Sequence, residues 1–477
     1  MMIKNKRIIH KVLLLRPVSG LVHGFGHPRD IRIPFPLKYI EALLRKKREL
    51  VPYFIDCMAN YMDFDMLLKT ILKFSPDVIL VYPTTQEYSM TLELSRKIKK
   101  SIDLIIVAAG QDATACPERY VIGDSPIDLV LRGECELSFM ELLKRLENAQ
   151  DLSGVEGIYS RDFIQTDPAI VKDPDCLPFP EYKTSDLKAY TYYYPLPFGR
   201  PVIWGHVLSS RGCPYDCIFC SQTIRESYGK EVRCRNPVAV VDEIEYLQKN
   251  GANVIAFADD NFTTSRSHVL GLCEEIKKRG ISIAWSAHAR VDNCDEDLLS
   301  AMKDSGCIFL RFGIESGSER IIKLLRKTGI ENWAQKAESV FKAARRAHIS
   351  TAALFLIGNP SENREEVLES LSLAKTLDPD LVQVCFFTPY PGSPAYEQLK
   401  DSIDLSDILN MYHYQPPFLN FSQIPNNEMR QLYKLFYRDF LLRGSYVLRH
   451  LRTYANFYLN NRQVFFTLFN MRKLIFN

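Results

Sequence analysis

The stretch Ser210-Arg211-Gly212-Cys213-Pro214-Tyr215-Asp216-Cys217-Ile218-Phe219-Cys220 decides how this chain is read. Its C-x3-C-x2-C spacing puts three thiolates on one short loop, enough to hold a metal cluster but one protein ligand short of closing it. An iron without a protein ligand can bind a substrate or cofactor. Three such thiolates also suit a zinc ion completed by a distant histidine. Zinc motifs usually come as two C-x2-C halves, and no second half occurs here, so iron-sulfur ligation fits the single loop better.

Around this loop, β-rich runs alternate with amphipathic helices, the pattern of parallel sheets. Strands are expected at 207–209, 254–258, 282–286, 308–313, 352–357 and 382–387. One intervening helix is clearly punctuated, with Asn236 as cap, Pro237 in the first turn, Val240, Val241, Ile244 and Leu247 on one face, and Gly251 as terminator. Another spans 265–280. Eight strands would close a β/α barrel, so six predict an open partial barrel with its functional residues at the strands' carboxyl ends. The cysteine loop lies at such an end.

A second α/β series precedes it, with strands at 12–15, 52–55, 78–81, 104–108 and 129–131 and helices near 37–47, 64–74, 88–99 and 136–146. This predicts a doubly wound domain over 1–150, binding its ligand at the loops 16–30, 82–87, 109–117 and 132–135. A Pro/Tyr-rich connector is expected over 151–198, the partial barrel over 199–400 and a helical, basic and aromatic region over 401–477.

The 477 residues carry 60 basic and 57 acidic side chains, so no overall field argues for nucleic acid. No apolar run is long enough to span a bilayer and no signal-peptide core precedes the first strand, which predicts a cytoplasmic protein with its twelve cysteines reduced. Cys57, Cys273, Cys307 and Cys385 read as small core residues; Cys116, Cys135, Cys176, Cys234 and Cys294 show no paired spacing. Residues 427–477 hold nine Lys or Arg against two acidic residues, with aromatics including Phe436, Phe440, Tyr446, Tyr454, Phe457, Phe465, Phe466 and Phe469. These predict a helical appendage on the barrel, with a peripheral membrane surface as the sharper alternative.

The motif Cys213-x3-Cys217-x-Phe219-Cys220 resembles the signature of the radical S-adenosylmethionine (SAM) superfamily, in which an aromatic residue precedes the third cysteine. The resemblance implies a 4Fe-4S cluster on Cys213, Cys217 and Cys220 whose open iron binds SAM. Reductive cleavage would yield a 5'-deoxyadenosyl radical, with the electron coming from an external donor of flavodoxin or ferredoxin type. The strand ends Ala258-Asp259-Asp260-Asn261-Phe262, Ala287-His288-Ala289-Arg290-Val291-Asp292 and Gly313-Ile314-Glu315-Ser316-Gly317 resemble motifs of the cobalamin-linked branch. By that similarity Asp259 or Asp260 would contact the methionine amino group, Arg290 its carboxylate, and Glu315 with Ser316 the ribose or carboxylate side. Phe219, Gly358 and the turn 388–392 would lie near the same cofactor.

The segments Pro76-Asp77-Val78-Ile79-Leu80-Val81, Asp128-Leu129-Val130-Leu131-Arg132-Gly133-Glu134 and Leu177-Pro178-Phe179-Pro180 resemble recurring parts of that branch, whose amino-terminal domain binds cobalamin. The D-x-H-x-x-G signature that supplies a histidine to cobalt is absent, and His23 and His27 stand at a different spacing. Ala109-Gly110-Gln111-Asp112 replaces a Gly-Gly-Pro turn, making Gly110 and Gln111 candidate cobalamin contacts. The resemblance implies methyl transfer to an unactivated carbon of a small-molecule or lipid-like substrate. Its alternatives are a radical cyclase or rearrangement enzyme, a methylthiotransferase with a second cluster, and a non-enzymatic iron-sulfur sensor or electron carrier. Tyr190 to Tyr194 and Trp204 are candidate substrate neighbours.

Overall fold

Apolar runs too continuous for a one-sided sheet become strands buried on both faces, and they form two separate sheets. The computed structural model describes residues 7–17, 33–162, 167–190, 195–220, 229–409 and 418–460. The first sheet contains β1 (Lys11–Arg16), β2 (Val51–Asp56), β3 (Val78–Val81), β4 (Ile105–Ala109), β5 (Leu129–Leu131) and β6 (Ile158–Tyr159). Its order is β2-β1-β3-β4-β5-β6, parallel except for the antiparallel edge strand β6. Val12, Leu14, Val78, Leu80 and Val107 face one core, while Leu13, Leu15, Ile79, Val81 and Ile106 face the other. The order reverses between β1 and β3, so the ligand crevice expected of such a sheet opens at their carboxyl ends. The short β6 had no signal in the sequence beyond two residues of β-former.

The second series gives β7 (Trp204–Val207), β8 (Ser210–Arg211), β9 (Arg233–Cys234), β10 (Val254–Phe257), β11 (Ala284–Ala289), β12 (Cys307–Glu315), β13 (Ser350–Ile357) and β14 (Leu381–Phe386). Six of these form an open parallel sheet in the order β14-β13-β12-β11-β10-β7, the partial barrel expected. β8 and β9 pair separately as an antiparallel ribbon from which the cysteine loop springs. Every strand ends within a few residues of its expected limits, and two shift along the chain by more than one residue at both ends. The first ends at Val207, because Ser210 and Arg211 leave the sheet to join the ribbon. The third runs 284–289 rather than 282–286, because its partner β12 begins at Cys307, which pairs with Trp285.

The helices Asn426–Leu441 and Gly444–Asn460 turn the carboxyl-terminal aromatics inward. Met429, Leu432, Phe436, Phe440 and Tyr446 join the main barrel core, and Phe457 closes the amino end of the barrel against Leu196, Trp204 and Phe309. Arg443 pairs with Asp378 at 2.8 Å, and Arg449 binds the same carboxylate. Packing therefore accounts for the aromatics of 426–460, while Phe465, Phe466 and Phe469 lie outside the described residues. Trp204 is corrected from a candidate substrate neighbour to core, since it sits buried at the barrel end opposite the cysteine loop. Tyr190 is buried edge-on to His206; Thr191 to Tyr194 lie outside the described residues. Cys57, Cys273, Cys307 and Cys385 are buried free thiols, as are Cys135 and Cys294. No helix of the described residues is long and apolar enough to cross a membrane.

The carboxyl edges of the two sheets face each other. Gln86, after β3, donates to the Tyr390 hydroxyl, after β14, at 3.4 Å, and the helix Leu405–Leu409 packs on 85–87. Glu134 and Glu136, after β5, reach Arg211 and Arg233 of the ribbon. Both sets of strand-end loops thus border one interface.

Candidate cluster and cofactor site

The cysteine loop is fastened to the barrel through its backbone and one tyrosine. Ile218 N–H donates to Leu325 O and Ile218 O accepts from Ala395 N–H, each at 3.0 Å, which pins the loop between the segments following β12 and β14. Tyr215 donates its hydroxyl to Asn293 Oδ1 at 2.7 Å; the same oxygen accepts from Asn261, which follows β10. Cys213, Cys217 and Cys220 are partly exposed free thiols. Burial pushes the Cys213 and Cys220 thiols up, with Asp260 adding to both. They would become thiolates only with positive charge beside them, from a metal or from side chains.

Two cations stand there. Arg290, after β11, donates from Nη1 to Cys217 Sγ at 3.7 Å and lies 3.6 Å over the Tyr215 ring. Its Nε and Nη2 fork onto Asp292 at 2.9 and 2.6 Å, and Nη2 also donates to Lys327 O at 2.5 Å. Lys327 pairs with Glu315 at 2.8 Å and lies 5.9 Å from the Phe219 ring centroid. The space for that pair comes from Gly313, where a Cβ would stand 2.4 Å from Glu315 Oε1.

The other candidates divide. Asp259 is buried and fully engaged: Oδ1 accepts from Ser209 N–H at 2.7 Å and Oδ2 from the Ser209 and Ser210 hydroxyls at 2.5 and 2.8 Å. It holds the strand exit that leads into the loop, so Asp260 is the one of the two presented to the opening. Asp260 is exposed to solvent, and the protein around it, with Asp259 adding, raises its carboxyl to about 7. The Arg290 guanidinium, assigned to a methionine carboxylate, thus joins Asp292, Lys327 O and Cys217 at one point beside the loop. Ser316 is buried in a turn, bonded to Ser370 and Ser318. Gly358, with φ of 76°, donates its N–H to the buried Glu362 at 2.7 Å and lines the turn after β13. Lys327, Asp292, Tyr215 and Glu362 escaped sequence reasoning; only Tyr215 and Asp292 carried a signal, as neighbours of the motif residues.

In the first sheet, Gly110 has φ of 107°, and a Cβ there would stand 3.1 Å from the Tyr82 ring, while Gln111 is exposed at the carboxyl edge. His10 is the sole histidine among the described residues of 1–150 and lies at the amino end of β1; His23 and His27 are outside the described residues. Cys57 and Cys135 sit in cores on opposite faces of the sheet, so they cannot join Cys116 around a second cluster, which removes the basis of the methylthiotransferase reading.

The donor set fits an iron-sulfur cluster. No three His, Cys, Asp or Glu side chains of the described residues converge on one metal ion. Three cysteines of one loop, with Arg290 at Cys217 and Lys327 acting on Cys220, supply the sulfur donors such a cluster needs.

Residues 207–374 match the Radical SAM superfamily model. The chain is 30% identical over 432 residues to an uncharacterized methyltransferase of Pyrococcus horikoshii, covering 89% of this chain and 91% of that one. The chain belongs to the radical SAM superfamily. As a radical SAM protein it is an enzyme, and its domain implies a 4Fe-4S cluster and SAM. It is 25% identical to the anaerobic magnesium-protoporphyrin IX monomethyl ester cyclase of Cereibacter sphaeroides, over 86% of this chain and 67% of that one. Its fold is similar to that of the radical SAM methyltransferase TsrM from Kitasatospora setae, solved with cobalamin and a 4Fe-4S cluster. There the TM-score is 0.66 at 18% identity, over 83% of this chain and 75% of that one. The doubly wound sheet and partial barrel of this radical SAM enzyme share that fold.

Proposed function

We propose that this radical SAM enzyme is a cobalamin-dependent methyltransferase. The observation that carries the reading is the apposition of two carboxyl edges: the crevice of the β1/β3 sheet opens toward the barrel face that bears Cys213, Cys217 and Cys220. Ligands of both folds bind at that end of their strands, so two cofactors would meet in one interface. Similarity along nearly the full length of a methyltransferase supports the same reading.

Cys213, Cys217 and Cys220 would hold the cluster, and the exposed Gln111 and the loops after β3 and β5 would border cobalamin. Bound there, the cluster supplies the electron that cleaves SAM, and cobalamin the methyl group. The chain's own part is to fix the cysteine loop through Ile218 and Tyr215, to place Arg290 and Lys327 beside the thiolates, and to close the barrel floor with Trp204 and Phe457. Similarity to a cyclase supports ring formation as the second reading.

Anaerobic reconstitution of the full chain with iron, sulfide and hydroxocobalamin tests the proposal. Retention of one cobalamin per chain through gel filtration, with its visible spectrum changing on addition of SAM and reductant, is expected. A chain that holds the cluster and no cobalamin would overturn it.

A further inference from the structure

The neck of the cysteine loop is made of like charges. In the antiparallel β8–β9 ribbon, Arg211 is paired directly with Arg233, and both guanidiniums are buried. Two like charges opposite each other destabilise such a pair, and burial makes that worse. The ribbon nevertheless forms two residues before Cys213, at the base of the loop.

What allows it comes from the other sheet. Glu134, just after β5, takes Arg233 in a fork, Oε1 from Nη2 at 2.7 Å and Oε2 from Nη1 at 3.0 Å, and lies 3.4 Å from Arg211 Nη1. Glu136 accepts from Arg211 Nη2 at 2.8 Å. Glu134 Oε2 also accepts the Val171 N–H at 2.5 Å, and Arg233 donates to Val171 O, so the connector joins the same knot. All four charged side chains are buried, and two carboxylates balance two guanidiniums. Across the ribbon, Ser210 is held by Asp259. The loop neck is thus gripped from β10 on one side and from the doubly wound sheet on the other.

Glu134 and Glu136 also belong to the loop after β5, one of the edges where that sheet would bind its ligand. We infer that Glu134 and Glu136 are positioning residues for the cluster: they set the geometry of the cysteine loop from the amino-terminal sheet and join the two cofactor edges mechanically. The inference rests on the cluster reading above. A forked carboxylate–guanidinium pair fixes direction as well as distance, which a single ion pair does not.

The test uses the full chain, reconstituted anaerobically with iron and sulfide. Its variants are Glu134→Gln and the double variant Glu134→Gln/Arg233→Gln, which removes both charges together and so avoids a stranded buried cation. The readouts are the rate of iron loss to a chelator and the EPR signal of the reduced cluster, with and without SAM. Both variants should lose iron about tenfold faster or more, as outer contacts of metal ligands do, and the EPR signal should broaden or shift. The conservative Arg233→Lys, which keeps charge and loses the fork, should fall between wild type and Glu134→Gln. A double variant that folds, holds iron as tightly as wild type and gives the same EPR signal would reduce the glutamates to charge balance and overturn the inference. Should the wild type bind no cluster, the cluster reading itself fails, a separate result.

Discussion

The Arg290 guanidinium donates to the sulfur of Cys217 at 3.7 Å while lying 3.6 Å over the Tyr215 ring. One side chain from the end of β11 therefore touches both the middle cysteine of the loop and the tyrosine that fastens it. Arg290→Gln removes the cation and leaves Asp292 without its partner. We expect iron content after reconstitution and SAM-dependent turnover to fall about 10- to 100-fold, with Arg290→Lys recovering little because ammonium offers no fork. Iron assay beside kcat and KM checks this; unchanged iron content in Arg290→Gln would contradict it.

Asp259 and Asp260 stand next to each other with opposite assignments. Asp259→Asn deprives Ser209 and Ser210 of an ionised acceptor in a buried site and should cost about 1–3 kcal/mol of folding stability. Asp260→Asn should not lower stability, and removing a carboxyl raised to about 7 should increase it at neutral pH. Denaturant unfolding of the two variants decides the assignment.

Gly313→Ala puts a methyl group 2.4 Å from Glu315 Oε1 and 2.8 Å from Lys327 Nζ. Displacing that buried pair should lower thermal stability by about 1–3 kcal/mol and SAM-dependent turnover with it, whereas Lys278→Ala, on an exposed helix face, should do neither. Thermal melts and turnover assays provide the comparison.

Glu362 is wholly buried, and burial lifts its carboxyl from 4.5 to about 7, against the opposing hydrogen bonds from Asn359 and Gly358. Between those values the folded chain binds a proton the unfolded chain has lost, so this group's contribution to stability falls as pH rises. The shift corresponds to about 3 kcal/mol. Glu362→Gln should flatten the decline in stability between pH 5 and 7, measured by denaturant titration across that range.

Phe436 is fully buried and packs on Phe355 with ring centroids 5.4 Å apart. Phe436→Ala should cost about 3–5 kcal/mol, showing that the carboxyl-terminal helices are part of the barrel's core. Calorimetry or chemical denaturation measures it.

Both sheets were legible because parallel strands buried on two faces read as apolar runs between amphipathic helices, and Cys213, Cys217 and Cys220 because their spacing is local. Strand limits such as 284–289 were not, since a strand's extent depends on where its neighbour begins. Lys327, twelve residues beyond Glu315, and Glu134, nearly a hundred before Arg233, were invisible as partners because pairing across that separation leaves no periodic trace. Trp204 reads as a candidate substrate neighbour beside a tyrosine-rich connector; only the packing of Phe457 against it shows the barrel floor.

Cys213, Cys217 and Cys220 are proposed to carry a cluster that cleaves SAM. The most direct test is to reduce the reconstituted full chain with dithionite under anaerobic conditions in the presence of SAM and quantify 5'-deoxyadenosine. 5'-Deoxyadenosine is expected from the wild type and none from Cys213→Ala, Cys217→Ala or Cys220→Ala. A wild-type chain with an intact, reduced 4Fe-4S cluster that forms none would contradict it.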